Sequence, residues 1–244
     1  MTTVAIHQPE YFSVASYVDK LLRSDVFVLL DSVQFNREST QHRMKILTAH
    51  GPHYWLTIPF DSRDKFARID QVRIVDSLWA NRHRTTLHHA YARAPCYAEI
   101  APHLDAFYRD EARDTLVSTA ATMSTYLLAR LFPSRSRRVM GVPLVEHLDL
   151  QTALPTERTA RLVAICTRLH ADVYLSGFTG YTYLDLAQFM KAGVRVQRQH
   201  VDIAAYPQLQ QSFFPFSPSL SILDVLCNVG VDETRRLIEA GRRA

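Results

Sequence analysis

Near the N-terminus, "VAIHQPEYF" (Val4 to Phe12) sets a histidine, a glutamine and an acid directly after a run of strand-forming residues. An imidazole oriented by a carboxylate is a common general base near neutral pH. A second apolar run, Val26 to Leu30, ends on Asp31 with Gln34 just beyond, and a third, "DVYLSG", ends at Ser176-Gly177. In open α/β sheets ligands lie beyond the carboxyl ends of the strands, so polar residues that end successive strands are expected to meet there. The expected pair is His7 oriented by Asp31, with Gln8, Gln34 or the amides near Ser176-Gly177 stabilising an oxyanion. "STQHRMKI" adds His42 and Arg43. On an alternating strand His42 and Met44 face one way and Arg43 and Lys45 the other. Arg43 is the expected anion clamp, because a guanidinium can hold a carboxylate or phosphate with two hydrogen bonds. Plainer roles stand beside these: His7 bonded to a backbone carbonyl, Asp31 capping a turn or pairing with Arg37 or Arg43, and Arg43 as an exposed hairpin charge.

Other chemistries lack their motifs. His83, His88 and His89 show no i, i+4 pair and no H-E-x-x-H, so no metal site is expected, and no phosphate-cradling glycine motif or nucleophile elbow is present, so no cofactor is called for. Cys96, Cys166 and Cys227 are far apart and form no C-x-x-C pair, which fits free thiols. Cys166 and Cys227 read as core. Cys96, after a proline, reads as the most exposed and as incidental to catalysis.

The elements that must position these residues alternate between short strands and longer helices, the pattern of an α/β fold with a mostly parallel central sheet. "TVAI", Val26–Leu30, "RRVMGVPLV", "DVYLSG" and "VRVQRQHV" read as strands. A helix is expected over Ala15–Arg23, where Tyr17, Val18, Leu21 and Leu22 share one face. "RMKILTA" and "HYWLTIPF" read as a β-hairpin turning at Gly51-Pro52, and "RIDQVRIV" as a further strand. A helical insertion is expected over about 77–131, broken at Pro95 and Pro102. "TERTARLVAICTRLH" and "LDLAQFMKAG" read as helices, the latter stopping at Gly193. Two closing helices follow, the last capped by Asp232 and ended by Gly241. Residues 1–244 are expected to form one domain.

The chain has 244 residues, 47% of them apolar, and a formal charge of +4. No run is long and apolar enough for a membrane helix, and the N-terminus lacks the pattern of a signal peptide, so a cytoplasmic protein that does not engage a membrane is expected. The mild charge and the absence of a sustained basic stripe argue against nucleic acid, and "SRSRR" at Ser134–Arg138 reads as a solvated turn. The sequence leaves a homo-oligomer open.

Several stretches in order along the chain, "HQPEYF", "SDVFVLLDSVQF", "QHRMKI" with "WLTIP", "HHAYARAPCY", "ADVYLSG" with "YLD", "LSILDVLCNVG" and "IEAGRR", together resemble the WbqC family. Members read approximately "QPnYFPWxGYFDKI", whereas here Ser13-Val14-Ala15-Ser16 replaces the Pro-Trp-x-Gly portion. The resemblance gives weight to Asp31, Gln34, Arg43, Ser176 and Gly177, and keeps Gln8 and Tyr11 of the first loop as substrate contacts. It implies a context of surface-polysaccharide or specialised-metabolite biosynthesis. The expected activity is transfer, condensation or hydrolysis of an acyl or aminoacyl group, borne by a small molecule, coenzyme A or an acyl-carrier protein. A non-catalytic binding or assembly protein and a nucleotide-dependent ligase or nucleotidyltransferase are the alternatives.

Overall fold

Val26 to Leu29 are apolar without a break and fully buried, as a strand covered on both faces requires. The protein, seen as a computed structural model, is described for residues 1–111, 117–134, 138–141, 153–209 and 212–242. Its strands are β1 (Thr3–His7), β2 (Val26–Leu29), β3 (Arg43–Thr48), β4 (Gly51–Thr57), β5 (Arg138–Gly141), β6 (Val173–Ser176) and β7 (Arg195–Arg198). Five of them form one sheet in the order β5-β2-β1-β6-β7, each pairing parallel, while β3 and β4 form a separate antiparallel hairpin.

This order has a functional consequence. The chain winds from β1 outward through β2 to β5, then returns to lay β6 on the other side of β1. Such a reversal makes a topological switch point, where segments leaving neighbouring strands diverge and open a crevice at the carboxyl edge.

The two faces of the sheet carry different cores. Ala5, Phe27, Leu29 and Leu175 point to one side, packed with α1 (Ala15–Arg23), α2 (Trp79–Tyr91), α3 (Tyr97–Ala106) and α4 (Val117–Leu131). Val4, Ile6, Val26, Val28, Leu30 and Tyr174 point to the other, under Leu162, Ile165 and Cys166 of α5 (Arg158–Arg168). A one-turn helix, α6 (Phe178–Tyr181), follows β6, and α7 (Leu186–Lys191) ends at Gly193, whose φ of +72° a side-chain-bearing residue would adopt at a cost. The final helix, α8 (Ile222–Ala240), joins the first core.

Several local expectations change. The hairpin turns at Ala49-His50, and Gly51-Pro52 already belong to β4. "RIDQVRIV" forms a single 3-10 turn, Ile69–Gln71, and two isolated bridges, Gln34 with Arg68 and Phe60 with Ile74. Pro102 lies inside α3, where it has no amide to offer the Ala98 carbonyl, and the helix runs on through it to Ala106. The break between the closing helical pieces is at Gly230, φ +76°, so Asp232 does not start the last helix. A Cβ at Gly230 would also sit 3.3 Å from the Cys96 sulfur. The turn expected at Ser134–Arg138 lies largely outside the described residues, as does the end of "RRVMGVPLV".

Candidate functional site

The crevice at the switch point is a cavity of about 1030 Å³. Its wall includes His7, Gln8, Glu10 and Ser13 from the loop after β1, Lys20 from α1, Gln34 after β2, Ser176 and Gly177 after β6, and Gln199 after β7. Four carboxyl strand ends therefore contribute: the three whose polar endings the sequence marks, and the end of β7, which it does not.

The loop "HQPEYF" divides its side chains between cavity and core. Tyr11 and Phe12 are fully buried. Tyr11 Oη lies 2.9 Å from His83 Nδ1 and 2.5 Å from Tyr108 Oη, while His83 Nε2 lies 3.0 Å from the Thr57 carbonyl oxygen. The consistent tautomer has His83 Nε2–H donating to Thr57 and Nδ1 accepting from Tyr11. Phe12 holds a φ of +42°, strained for a bulky residue. Its amide donates to Ser124 Oγ at 3.3 Å and its carbonyl accepts from Ser221 Oγ at 2.5 Å. These anchors turn the preceding residues toward the crevice. Tyr11 is thus a loop anchor among aromatic rings and does not line the cavity.

His7 Nδ1 lies 2.9 Å from the Gln8 carbonyl oxygen and 3.8 Å from Glu10 Oε1, and its ring meets the Tyr17 ring edge-on at 5.0 Å. A carbonyl acceptor at Nδ1 favours the Nδ1–H tautomer and leaves the Nε2 lone pair available. Burial, then the nearby Lys20 charge, lowers the imidazole pKa to about 4, against the opposing pull of Glu10 and Gln8. The ring is therefore neutral at pH 7.

Asp31 is not the carboxylate beside His7; Glu10 is. The chain leaves the sheet after Leu30 and is tied to the 3-10 turn, with the Asp31 carbonyl accepting from the Asp70 amide and the Val33 carbonyl from the Ile69 amide. Asp31 is drawn with it and does not line the cavity. Glu10 instead accepts from the Ser13 hydroxyl, and its backbone carbonyl accepts from Ser124 Oγ.

The hairpin residues stand apart as well. His42 is buried between the Phe35 and Phe60 rings. Arg43 donates to the Glu38 carbonyl at 2.6 Å and lies 4.4 Å from the Trp55 ring centre, with Lys45 on the same ring at 5.1 Å. Arg43 and Lys45 share a face, as strand alternation predicts, but neither reaches the cavity. Gln8 accepts from Gln41 Nε2 at 2.6 Å, which fixes its amide at the rim, and Gln34 lies exposed at the same rim. Ser176 is buried, with its hydroxyl 3.3 Å from the Gly177 carbonyl oxygen.

The sequence reading missed Lys20. It is 5% exposed, and among the described residues it makes no hydrogen bond or ion pair. Burial lowers its pKa to about 8, although Glu10 and Asp19 oppose the shift. Asp19, fully buried beside it, accepts from Arg242 Nε at 2.6 Å and Gln199 Nε2 at 2.7 Å, so its charge is already met. Cys166 and Cys227 are buried in the core as expected, and Cys96 is half-buried near Gly230, away from the cavity.

Among known proteins, the chain is similar to "Uncharacterized protein Rv1507c" of Mycobacterium tuberculosis, 28% identical over 233 residues, covering 95% of this chain and 96% of that one. No solved structure matches it. The model of the WbqC-like protein family matches residues 8–236, a span holding the cavity wall from Gln8 through Lys20 to Gln199, and the chain belongs to that family.

Proposed function

We propose that the protein is an enzyme acting on an activated acyl or aminoacyl group, held as a thioester of coenzyme A or a carrier protein, in specialised-metabolite or surface-polysaccharide biosynthesis. The observation that carries this reading is His7: a neutral imidazole with Nδ1 on a backbone carbonyl and Nε2 without a hydrogen bond among the described residues, at a cavity with room for a substrate. In the reaction, an amine or hydroxyl attacks the thioester carbonyl and His7 Nε2 takes its proton. The C–S bond then breaks, and the same proton leaves with the thiolate as thiol. The Gln8 and Gln34 side chains at the rim stabilise the intermediate's oxyanion. Glu10, 3.8 Å from Nδ1, favours the imidazolium while it exists.

The test supplies acyl- and aminoacyl-thioesters of coenzyme A with an amine acceptor and follows thiol release and product mass. His7→Gln should lower turnover by about a hundredfold or more. No thioester turnover, or turnover unchanged in His7→Gln, overturns the proposal. A second reading, a nucleotide-dependent ligase, draws on the sheet order, since doubly wound sheets often bind nucleotides at the switch point. It requires ATP consumption coupled to product formation.

A further inference from the structure

Lys20 is a largely buried cation with no counterion in contact among the described residues. A charged ammonium taken out of water is costly unless something compensates it, and here its end lies against the turn that follows β6. A Cβ built on Gly177 would fall 3.0 Å from Lys20 Nζ and 3.2 Å from Cε. The absence of a side chain at Gly177 thus leaves room for the ammonium beside the cavity at the switch point.

The other cationic groups around the cavity are exposed or already hold partners. Arg161 donates to the Pro155 carbonyl at 2.9 Å and the Thr156 carbonyl at 3.0 Å. Arg158 lies 5.9 Å from the Tyr183 ring centre. The amino end of α5 is filled by its own Glu157, which accepts from the Thr159 and Ala160 amides. His200 is 3.3 Å from Asp202.

We infer that Lys20 is the anion subsite of this cavity and binds a carboxylate or phosphoryl group that is a permanent part of the substrate. A permanent anion offsets the buried charge throughout binding, whereas an oxyanion present only during reaction would leave it unpaired in the resting complex. Lys20 thus takes the clamp role that the sequence suggests for Arg43. The inference deepens the proposed function by naming a feature of its substrate, but its test requires no turnover.

The test titrates the whole protein calorimetrically with sodium glutarate and, separately, inorganic phosphate, from pH 7 to 9.5. The wild type should bind at least one with 1:1 stoichiometry. Lys20→Met should weaken that binding tenfold or more while retaining a cooperative melting transition. Affinity for glutarate should fall in the wild type as pH rises through about 8, where the ammonium loses its proton, and should lack that fall in Lys20→Met. The charged and titratable groups that act on Lys20 or line the same cavity are His7, Glu10, Tyr17, Asp19, Arg158, Arg161, Tyr174, His200 and Asp202. The variant keeps them all, so the difference between the two profiles belongs to Lys20. Binding of glutarate alone marks a carboxylate-bearing substrate, and binding of phosphate alone a phosphorylated one. The inference is overturned if neither binds up to 20 mM (roughly the limit of a useful charge contact), or if Lys20→Met binds as the wild type does. Loss of thioester turnover in His7→Gln with anion binding intact separates this subsite from the proposed chemistry.

Discussion

Lys20→Met should make the unliganded protein more stable. The folded-state pKa of Lys20 lies at about 8 against 10.5 for the free side chain. With 1.36 kcal/mol per pKa unit, holding this group protonated in the fold costs about 3 kcal/mol at pH 7. Because the folded value is the lower one, the cost is present in full below about pH 8 and vanishes as pH rises toward 10.5, where the unfolded chain also loses the proton. Methionine fits a site that is 5% exposed and carries no charge. For a chain of this size the gain corresponds to about 6–12 °C in Tm. Urea denaturation of both proteins at pH 7, 8.5 and 10 gives the difference directly: about 3 kcal/mol at pH 7, shrinking steadily toward pH 10. A variant that is less stable at pH 7 would mean that Lys20 has a stabilising partner, and both the unpaired charge and the anion subsite would fall with it.

Acid should destabilise the protein between about pH 6.5 and 4. Burial holds His7, His42 and His83 at about 4, so the unfolded chain takes up protons that the fold refuses, and stability falls by at most about 4 kcal/mol per pH unit. Denaturation midpoints that stay level from pH 7 to 4.5 would contradict that burial. Tyr11→Phe should cost about 1–3 kcal/mol, because His83 Nδ1 and the Tyr108 hydroxyl both lose a buried partner. Anion affinity measured on the same variant should be unchanged, and a large drop would return Tyr11 to the binding site. Gly177→Ala should leave the melting transition nearly intact but weaken anion binding several-fold, since its Cβ would displace the ammonium 3.0 Å away. Equal affinity would show that Lys20 does not act from this position.

The sheet was legible because its strands are short, apolar and punctuated by polar residues. Thr3–His7, Val26–Leu29 and Val173–Ser176 satisfy the buried-strand pattern and lie side by side. The edge of the site followed from the same punctuation: His7, Gln8, Gln34, Ser176 and Gly177 all line the cavity. Strand endings carry this information because parallel strands share a carboxyl edge. Partners across loops were harder to read. Asp31 occupies an equivalent strand ending, yet backbone bonds to the Ile69–Gln71 turn lead it away, and nothing in "LLDSVQF" specifies those distant amides. His42 and Arg43 were placed correctly on the hairpin, but the position of the hairpin relative to the sheet is a tertiary outcome that periodicity does not encode.

Lys20 shows what helical periodicity alone does not reveal. With Tyr17, Val18, Leu21 and Leu22 on one stripe, a 3.6-residue period assigns Asp19 and Lys20 to the polar side of α1, which would ordinarily face water. The fold covers that side. Gln199 at the end of β7 bonds Asp19, and Arg242 reaches the same carboxylate from a segment paired to Val201. Gly241 permits that pairing, because a Cβ there would collide with the Asp202 carbonyl. Five consecutive residues, Tyr17 through Leu21, are consequently buried. Of the two buried charges of α1, Asp19 is consumed in holding this closure together, and Lys20 makes no hydrogen bond among the described residues. A polar helix face buried by remote chain is a tertiary event, and the charge it leaves at Lys20 without a hydrogen bond among the described residues is the observation on which the inferred anion subsite rests.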